Sequence, residues 1–375
     1  MFYRSNIKSS SIKLALALIA CASLVQSGLF GGLTGTTSAQ TPQQTPKTQT
    51  PQPSPKPTPT PNADDDVTLQ DGDVVRVETD LTNILFTASD KQKRFITNLR
   101  QQDVRVTEDG QQQEIFTFAR QTDLPLSLAI LVDTSASEER TLPEEKAAAA
   151  AFVDAVIRPD KDEAAVISFT GEATLEQGLT SSIPRIRRGL EGVRFERPAG
   201  YIGNGTGGGT PPINGSSRAG STAIWDAIWS TSEEVLSATS DKTRRAIILI
   251  TDGQDTSSRQ KMNAAIDRAV RADAVIYSIG YGDLYLGGIN EGALRKVSET
   301  TGGRAFFPRD EEDLRAAFAQ IQQELRSQYL VAYSPTNKKR DGSYRHVQVE
   351  IINPELRKQS LRLTYRQGYF AKTTG

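Results

Sequence analysis

The chain has 375 residues, 24% of them charged, and a formal net charge of -1, so it presents no field that would attract nucleic acid or an anionic membrane surface. The one cysteine, Cys21, lies near the start, which excludes disulfides from the rest of the chain. The one histidine, His346, sits beside Arg345 in a late strand pattern; this argues against Ser-His-Asp chemistry and histidine-ligated zinc, and the residue is given no role.

Arg4, Lys8 and Lys13 precede the apolar run Leu14–Ala20, which predicts an export signal over residues 1–39. Thr37-Ser38-Ala39 before Gln40 has the small residues of a secretory cleavage site. Alternatively, Leu18-Ile19-Ala20-Cys21 resembles a lipobox, and Cys21 would then carry a lipid anchor. An uncleaved anchor is the weaker reading, because Gln26, Ser27 and several glycines interrupt the apolar run. Residues 40–66 are rich in Pro, Thr and Gln. They cannot bury apolar surface, and their prolines favour an extended, semi-rigid linker.

Strand signals follow over residues 67–122: Val74–Thr79, Ile84–Thr87 and Val104–Thr107, with Asp109-Gly110 turning the chain into Glu114–Phe118 as a hairpin. These strands are too few for a core. A matching set, Gln328–Tyr333, Arg345–Ile351 and Leu361–Tyr365, occupies residues 328–375, so one small β-sandwich built from both chain ends is expected, with the middle inserted between them.

The middle, residues 123–327, alternates strands and helices, which predicts a doubly wound, mostly parallel six-stranded α/β sheet. Leu128–Val132 and Ala246–Ile250 read as buried parallel strands, Ala164–Phe169 and Ala274–Ile279 as further strands, and Thr174–Gln177 as an edge strand. Thr141-Leu142-Pro143-Glu144 predicts a capped helix start. Other helices are expected over Ile183–Val193, over Thr222–Leu236 (burying Ile224, Ala227, Ile228 and Val235), around Ile266 and Val270, over Ala293–Glu299, and over Asp313–Arg326. Arg304–Phe307 reads as the last strand of this region.

Asp133-Thr134-Ser135-Ala136-Ser137 follows the first buried strand, and Asp252 follows the Ala246 strand. Thr222, in Gly220–Ile224, opens a helix. In open α/β sheets ligands bind beyond the carboxyl ends of strands, where the strand order reverses. If the two Asp-tipped strands are neighbours there, two carboxylates and three hydroxyls meet in one crevice. An all-oxygen set of that kind suits a hard divalent cation. Asp-Thr-Ser alone is also a common helix cap; three segments in order and in context outweigh that reading. Asp255, Thr256 and Ser257 read as a helix-start cluster rather than as further ligands.

Asp-x-Ser-x-Ser, a distant Thr and a strand-end Asp resemble the metal-ion-dependent adhesion site of von Willebrand factor type A domains. Leu124–Ser127, Thr251–Thr256, Ala332–Pro335 and Arg366–Tyr369 further resemble the exported acidobacterial type-A-related group. The resemblance covers about Val74 to Phe370, except one loop. It implies Ser135, Ser137 and Thr222 as hydroxyl ligands and Asp133 and Asp252 as direct or water-bridged ligands of Mg²⁺, with Mn²⁺ or Ca²⁺ as alternatives. One position would stay open for a partner's carboxylate. Ala136 stands where Gly is usual, and Glu138 stands where an apolar residue is common and could compete for the open position. The glycine-rich stretch Gly200–Gly220 lacks the Gly-Lys-Ser/Thr ending of a phosphate loop and reads as an insertion over the crevice.

The leading expectation is therefore an exported, metal-dependent protein-binding module without catalytic residues, located in the periplasm, at the cell surface or outside. Its partner would be an extracytoplasmic protein presenting a carboxylate. A metal-dependent hydrolase or phosphoryl-transfer enzyme using Asp133 as nucleophile is the second reading. It lacks the Asp-x-Asp of aspartyl-phosphate enzymes, since Ser135 holds the second position. A structural envelope protein with a silent metal site is the third.

Overall fold

A computed structural model of the chain describes residues 81–120, 124–195, 221–240, 242–282 and 288–373. Contacts divide the chain into Met1–Val74 and Val75–Gly375, and all described residues belong to the second unit. The expected leader, linker, Val74–Thr79 strand and Gly200–Gly220 insertion lie outside the described residues. Among those described, no helix is long and apolar enough to cross a membrane.

The central sheet is formed by β5 (Leu126–Asp133), β6 (Glu163–Phe169), β7 (Ala173–Thr180), β8 (Arg244–Thr251), β9 (Ala274–Gly280) and β10 (Ala305–Phe306), in the order β10-β9-β8-β5-β6-β7. All its pairings are parallel except β6 with β7. β5 lies between β6 and β8, and every one of its residues is buried. That is why its sequence is continuously apolar rather than alternating. Leu128, Ile130 and Val132 enter the core with α1 (Leu142–Val156), α2 (Ile183–Gly192) and α6 (Glu311–Leu325). Ala129 and Leu131 enter the core on the opposite face, with α3 (Ile224–Ser230), α4 (Met262–Arg271) and α5 (Glu291–Thr301). The expected doubly wound, mostly parallel six-stranded architecture is present.

The two chain ends pair with each other. β1 (Thr82–Ser89) lies between β11 (Tyr329–Tyr333) and β13 (Arg362–Tyr365), and β4 (Ile115–Arg120) completes the sheet β13-β1-β11-β4. A second antiparallel sheet runs β14-β12-β2-β3, from Gly368–Phe370, Tyr344–Ile351, Val104–Glu108 and Gln111–Gln113. Ile84, Phe86, Val106, Val331, Val347 and Val349 are among the residues of their common core. The short helix α7 (Pro354–Lys358) links β12 to β13.

The structure departs from the sequence expectations at several points. Asp109 (φ 47°) and Gly110 (φ 80°) form the expected tight turn, but the strand returning from it is β3, Gln111–Gln113. Ile115–Arg120 crosses to the other sheet as β4 and pairs with β11, because the hairpin ends at Glu114. The helix expected over Thr222–Leu236 is α only to Ser230; Thr231–Leu236 continues as a π segment, closed by Ser237 N donating to Ser232 O at 3.1 Å. The wider turns rotate the face, so Leu236 is buried and Val235 only packs against the core's edge.

Between the end strands and the central sheet, Arg244 Nη1 donates to Leu325 O at 2.5 Å and to Gln328 Oε1 at 3.1 Å, and the Arg271 guanidinium lies 3.7 Å from the Phe370 ring centroid. Both cores flanking the central sheet are nevertheless built almost wholly from residues 124–326. A fragment Leu124–Arg326 is expected to unfold cooperatively on heating. A fragment 81–120 is expected not to, because β1, β2 and β4 would lose their pairing with β11, β12 and β13. A cooperative thermal transition by circular dichroism in the short fragment would contradict the shared sandwich.

Candidate metal centre

The strand order reverses between β5 and β8. The first crossover from β5 leads to β6 on one side, and the next strand of the parallel series, β8, lies on the other side. Val132 pairs with Ile250, so Asp133 stands level with Thr251 and Asp252 lies one residue beyond it. Asp133 is fully buried. Its Oδ1 accepts from Ser135 N at 2.9 Å and its Oδ2 accepts from Thr251 Oγ at 2.5 Å. These bonds fix the carboxylate and bend the chain out of the strand, so that Ser135 and Ser137 come together with Oγ···Oγ 3.1 Å. Ser135 is buried and Ser137 half-buried.

Asp252 occupies a tight turn. Its Oδ1 accepts from Gln254 N at 2.8 Å, its carbonyl accepts from Asn290 N at 2.8 Å, and Gly253 N donates to Thr251 Oγ at 3.1 Å. Gly253 has φ +82°, and a Cβ there would lie 2.9 Å from Leu294 Cγ. Both the dihedral and the space require glycine.

Thr222 is buried two residues before α3. The Asp255–Ser258 segment holds it: Thr222 N donates to Thr256 Oγ at 2.8 Å, and Thr256 N and Ser257 N donate to Thr222 O at 2.9 and 3.0 Å. Asp255 Oδ1 then accepts from Ile224 N at 2.8 Å, and Ser258 Oγ accepts from Trp225 N at 3.0 Å. The expected helix-start cluster therefore caps α3, across the crevice, and not α4, which follows it in sequence. It satisfies the orphan amides of α3's first turn while positioning Thr222.

The sequence reading left one residue outside the ligand set that the structure brings in. Asp133, Glu138 and Asp252 each present a carboxylate oxygen, all within 4.8 Å of one another. Glu138 ends a short 3-10 turn, Ala136–Glu138, and is fully buried. Thr141, expected to cap α1 with its side chain, instead donates its hydroxyl to Glu138 Oε2 at 2.8 Å and makes no side-chain cap. Close to Glu138 lies Glu145, also fully buried. Its spacing is the signal that could have found it: Glu145 lies on the apolar stripe of α1, three residues after Leu142 and three and four before Ala148 and Ala149.

Burial pushes the Asp133 carboxyl from its ordinary 3.8 up to about 7, although hydrogen bonds from Thr251 and Ser135 pull it down. Burial, and next the charge of Glu145, push Glu138 upward, and burial pushes Glu145 upward as well. Three crowded, desolvated acids without a counter-charge are an unfavourable arrangement that a divalent cation would relieve. With the hydroxyl pair of Ser135 and Ser137 following Asp133, the donor set is all oxygen and fits such an ion.

The chain without cation should therefore lose stability as pH rises. The unfolded chain releases the Asp133 proton near 3.8 and the folded chain near 7, so the folded state holds more protons across that window. Urea unfolding in chelator should show stability falling from about pH 4 to about pH 7, and added Mg²⁺ should reverse the fall by favouring the ionised carboxylates. A flat profile in chelator would contradict the burial of these acids.

Two models of the von Willebrand factor type A domain match the chain, one over residues 128–254 and one over residues 213–321. The middle of this chain is a von Willebrand factor type A domain. No curated protein matches the chain. Among solved structures it is similar to proximal thread matrix protein 1 from the mussel byssus, at 20% identity and TM-score 0.43, over 58% of this chain and 51% of that one. It therefore spans about half the length of the mussel protein, which has also been solved with zinc in its metal-ion-dependent adhesion site motif. It is also similar to the conserved hypothetical protein BatB from Bacteroides thetaiotaomicron, at 19% identity and TM-score 0.38, over 54% of this chain and all of that one. A von Willebrand factor type A structure from Catenulispora acidiphila matches at 13% identity and TM-score 0.42, over 80% of this chain and 75% of that one.

Proposed function

We propose that the chain is an exported, Mg²⁺-dependent protein-binding module, held away from the cell by its Pro-rich linker, as in the exported acidobacterial group that its flanking motifs resemble. The observation that supports this reading is that Asp133 and Asp252, at the strand-order reversal between β5 and β8, offer carboxylate oxygens within 4.8 Å of each other, with the Ser135–Ser137 hydroxyl pair following Asp133. Ser135, Ser137 and Thr222 ligate through hydroxyls, and Asp133 and Asp252 ligate directly or through water. Neutral hydroxyls leave the ion short of negative charge, so the carboxylate of an extracytoplasmic protein partner becomes the strongest contact of the interface.

The reading is non-catalytic. Ser135 stands where aspartyl-phosphate enzymes carry the second Asp of Asp-x-Asp, which speaks against Asp133 as a nucleophile. The test is capture of a partner from envelope extract by the immobilised chain, in Mg²⁺ and in chelator, with Asp252→Ala as control. Equal capture of the same protein under all three conditions would overturn metal-dependent binding.

A further inference from the structure

Glu138 is the carboxylate of this crevice that the domain's motif does not call for. It directly follows Ser137, and its backbone N donates to Ser135 O at 3.0 Å, so the 3-10 turn carries it back over the serines. Thr141 engages only Oε2; Oε1 is buried and has no hydrogen-bond partner. A buried carboxylate oxygen left bare is costly, and Glu138 also offers an oxygen within 4.8 Å of one from Asp133 and one from Asp252, a cluster that a positive ion would relieve. The opposite wall is cut to fit. A Cβ on Gly282 would lie 2.8 Å from Glu138 Oε1 and 3.2 Å from Asp252 Cβ, so any side chain there would displace the carboxylate.

We propose that Glu138 is a ligand that this chain supplies to its own ion, with Oε1 taking the coordination position that a partner's carboxylate would fill. Thr141 holds Oε2 and so aims Oε1 at the ion, as residues behind a metal ligand do. The inference rests on the metal-site reading above and changes its consequence. The resting site is capped from within, and a partner binds by exchanging its carboxylate for that of Glu138.

The experiment uses Mn²⁺ as the probe ion and acetate as the smallest carboxylate, on the full chain and on Glu138→Gln, Gly282→Ala and Asp252→Ala. Glu138→Gln keeps the shape and the Thr141 contact while removing the charged ligand. Its Mn²⁺ dissociation constant should rise roughly tenfold or more. Water-proton relaxation should report one more water on the bound ion, and the acetate methyl signal should broaden where the wild type leaves it sharp. Gly282→Ala should move the same three readouts in the same direction, with Glu138 intact. If Asp252→Ala binds Mn²⁺ like the wild type, the metal-site reading fails and this inference falls with it. If Asp252→Ala loses the ion but Glu138→Gln leaves affinity, hydration and acetate broadening unchanged, the metal site stands and Glu138 is a structural acid only.

Discussion

Asp252→Ala is expected to abolish the rise in melting temperature that Mg²⁺ produces, while circular dichroism shows helix and strand content nearly unchanged. Asp252 lies just beyond β8 rather than in the sheet, and its side chain accepts one backbone hydrogen bond, from Gln254 N. Losing that bond costs about 1 kcal/mol. The loss is offset in the cation-free protein, because one of three mutually close carboxylates disappears. The loaded protein has more to lose. An ion at a hundred times its dissociation constant stabilises the fold by about 2.7 kcal/mol, and that whole contribution should vanish with the carboxylate. Ser135→Ala should be milder, since water replaces one hydroxyl in a Mg²⁺ shell. Thermal unfolding across a Mg²⁺ series decides the matter. A wild-type dose response in Asp252→Ala would remove Asp252 from the site and the proposed mechanism with it.

Phe86→Ala should destabilise the end-strand sandwich by about 3–5 kcal/mol, the range for deleting a buried aromatic ring. Phe86 is 1% exposed on β1, at the centre of a sheet whose neighbours come from the far end of the chain. Its ring stacks on Tyr329 of β11, with centroids 5.2 Å apart, and meets Phe118 of β4 at 6.2 Å. Tyr329 has little freedom to close the cavity. Its hydroxyl accepts from Leu99 N at 3.0 Å and donates to Ile96 O at 3.1 Å, which pins the ring. Urea unfolding followed by circular dichroism should show the unfolding free energy falling by that amount. A loss below about 1 kcal/mol would mean that this cluster is not a cooperative core.

Much of this molecule is legible in the sequence because its signals are local. β5 and β8 contain apolar runs long enough for a strand and too short for a helix; β5 ends in Asp133, and Asp252 follows the last residue of β8. Gly302 stops α5 in the left-handed region (φ 90°), as its place after Thr301 suggests. The Asp-x-Ser-x-Ser spacing carries its own geometry, since the Ser135 amide reaches back to Asp133 two residues earlier.

What stayed hidden depends on partners distant in the chain. The Asp255–Ser258 cluster looks like the cap of whatever helix follows it, yet its partners are Thr222 and the first amides of α3, more than thirty residues upstream. Ile115–Arg120 alternates well enough to close a hairpin, but its place beside β11 was decided by which sheet edge the other end of the chain leaves open. Leu236 exchanges places with Val235 because a π segment fits α3 against the sheet, and no residue type announces that segment.

By itself the sequence determined the alternation of buried strands and helices, the carboxylates at the strand ends and the class of ion they suit, because these follow from hydropathy and from chemistry within a few residues. Only the tertiary structure decided that Glu138 is a buried acid and not a surface one. Burial of a charged side chain is a property of what packs over it, here a glycine at position 282, a threonine one helical turn on and the rim of a second strand.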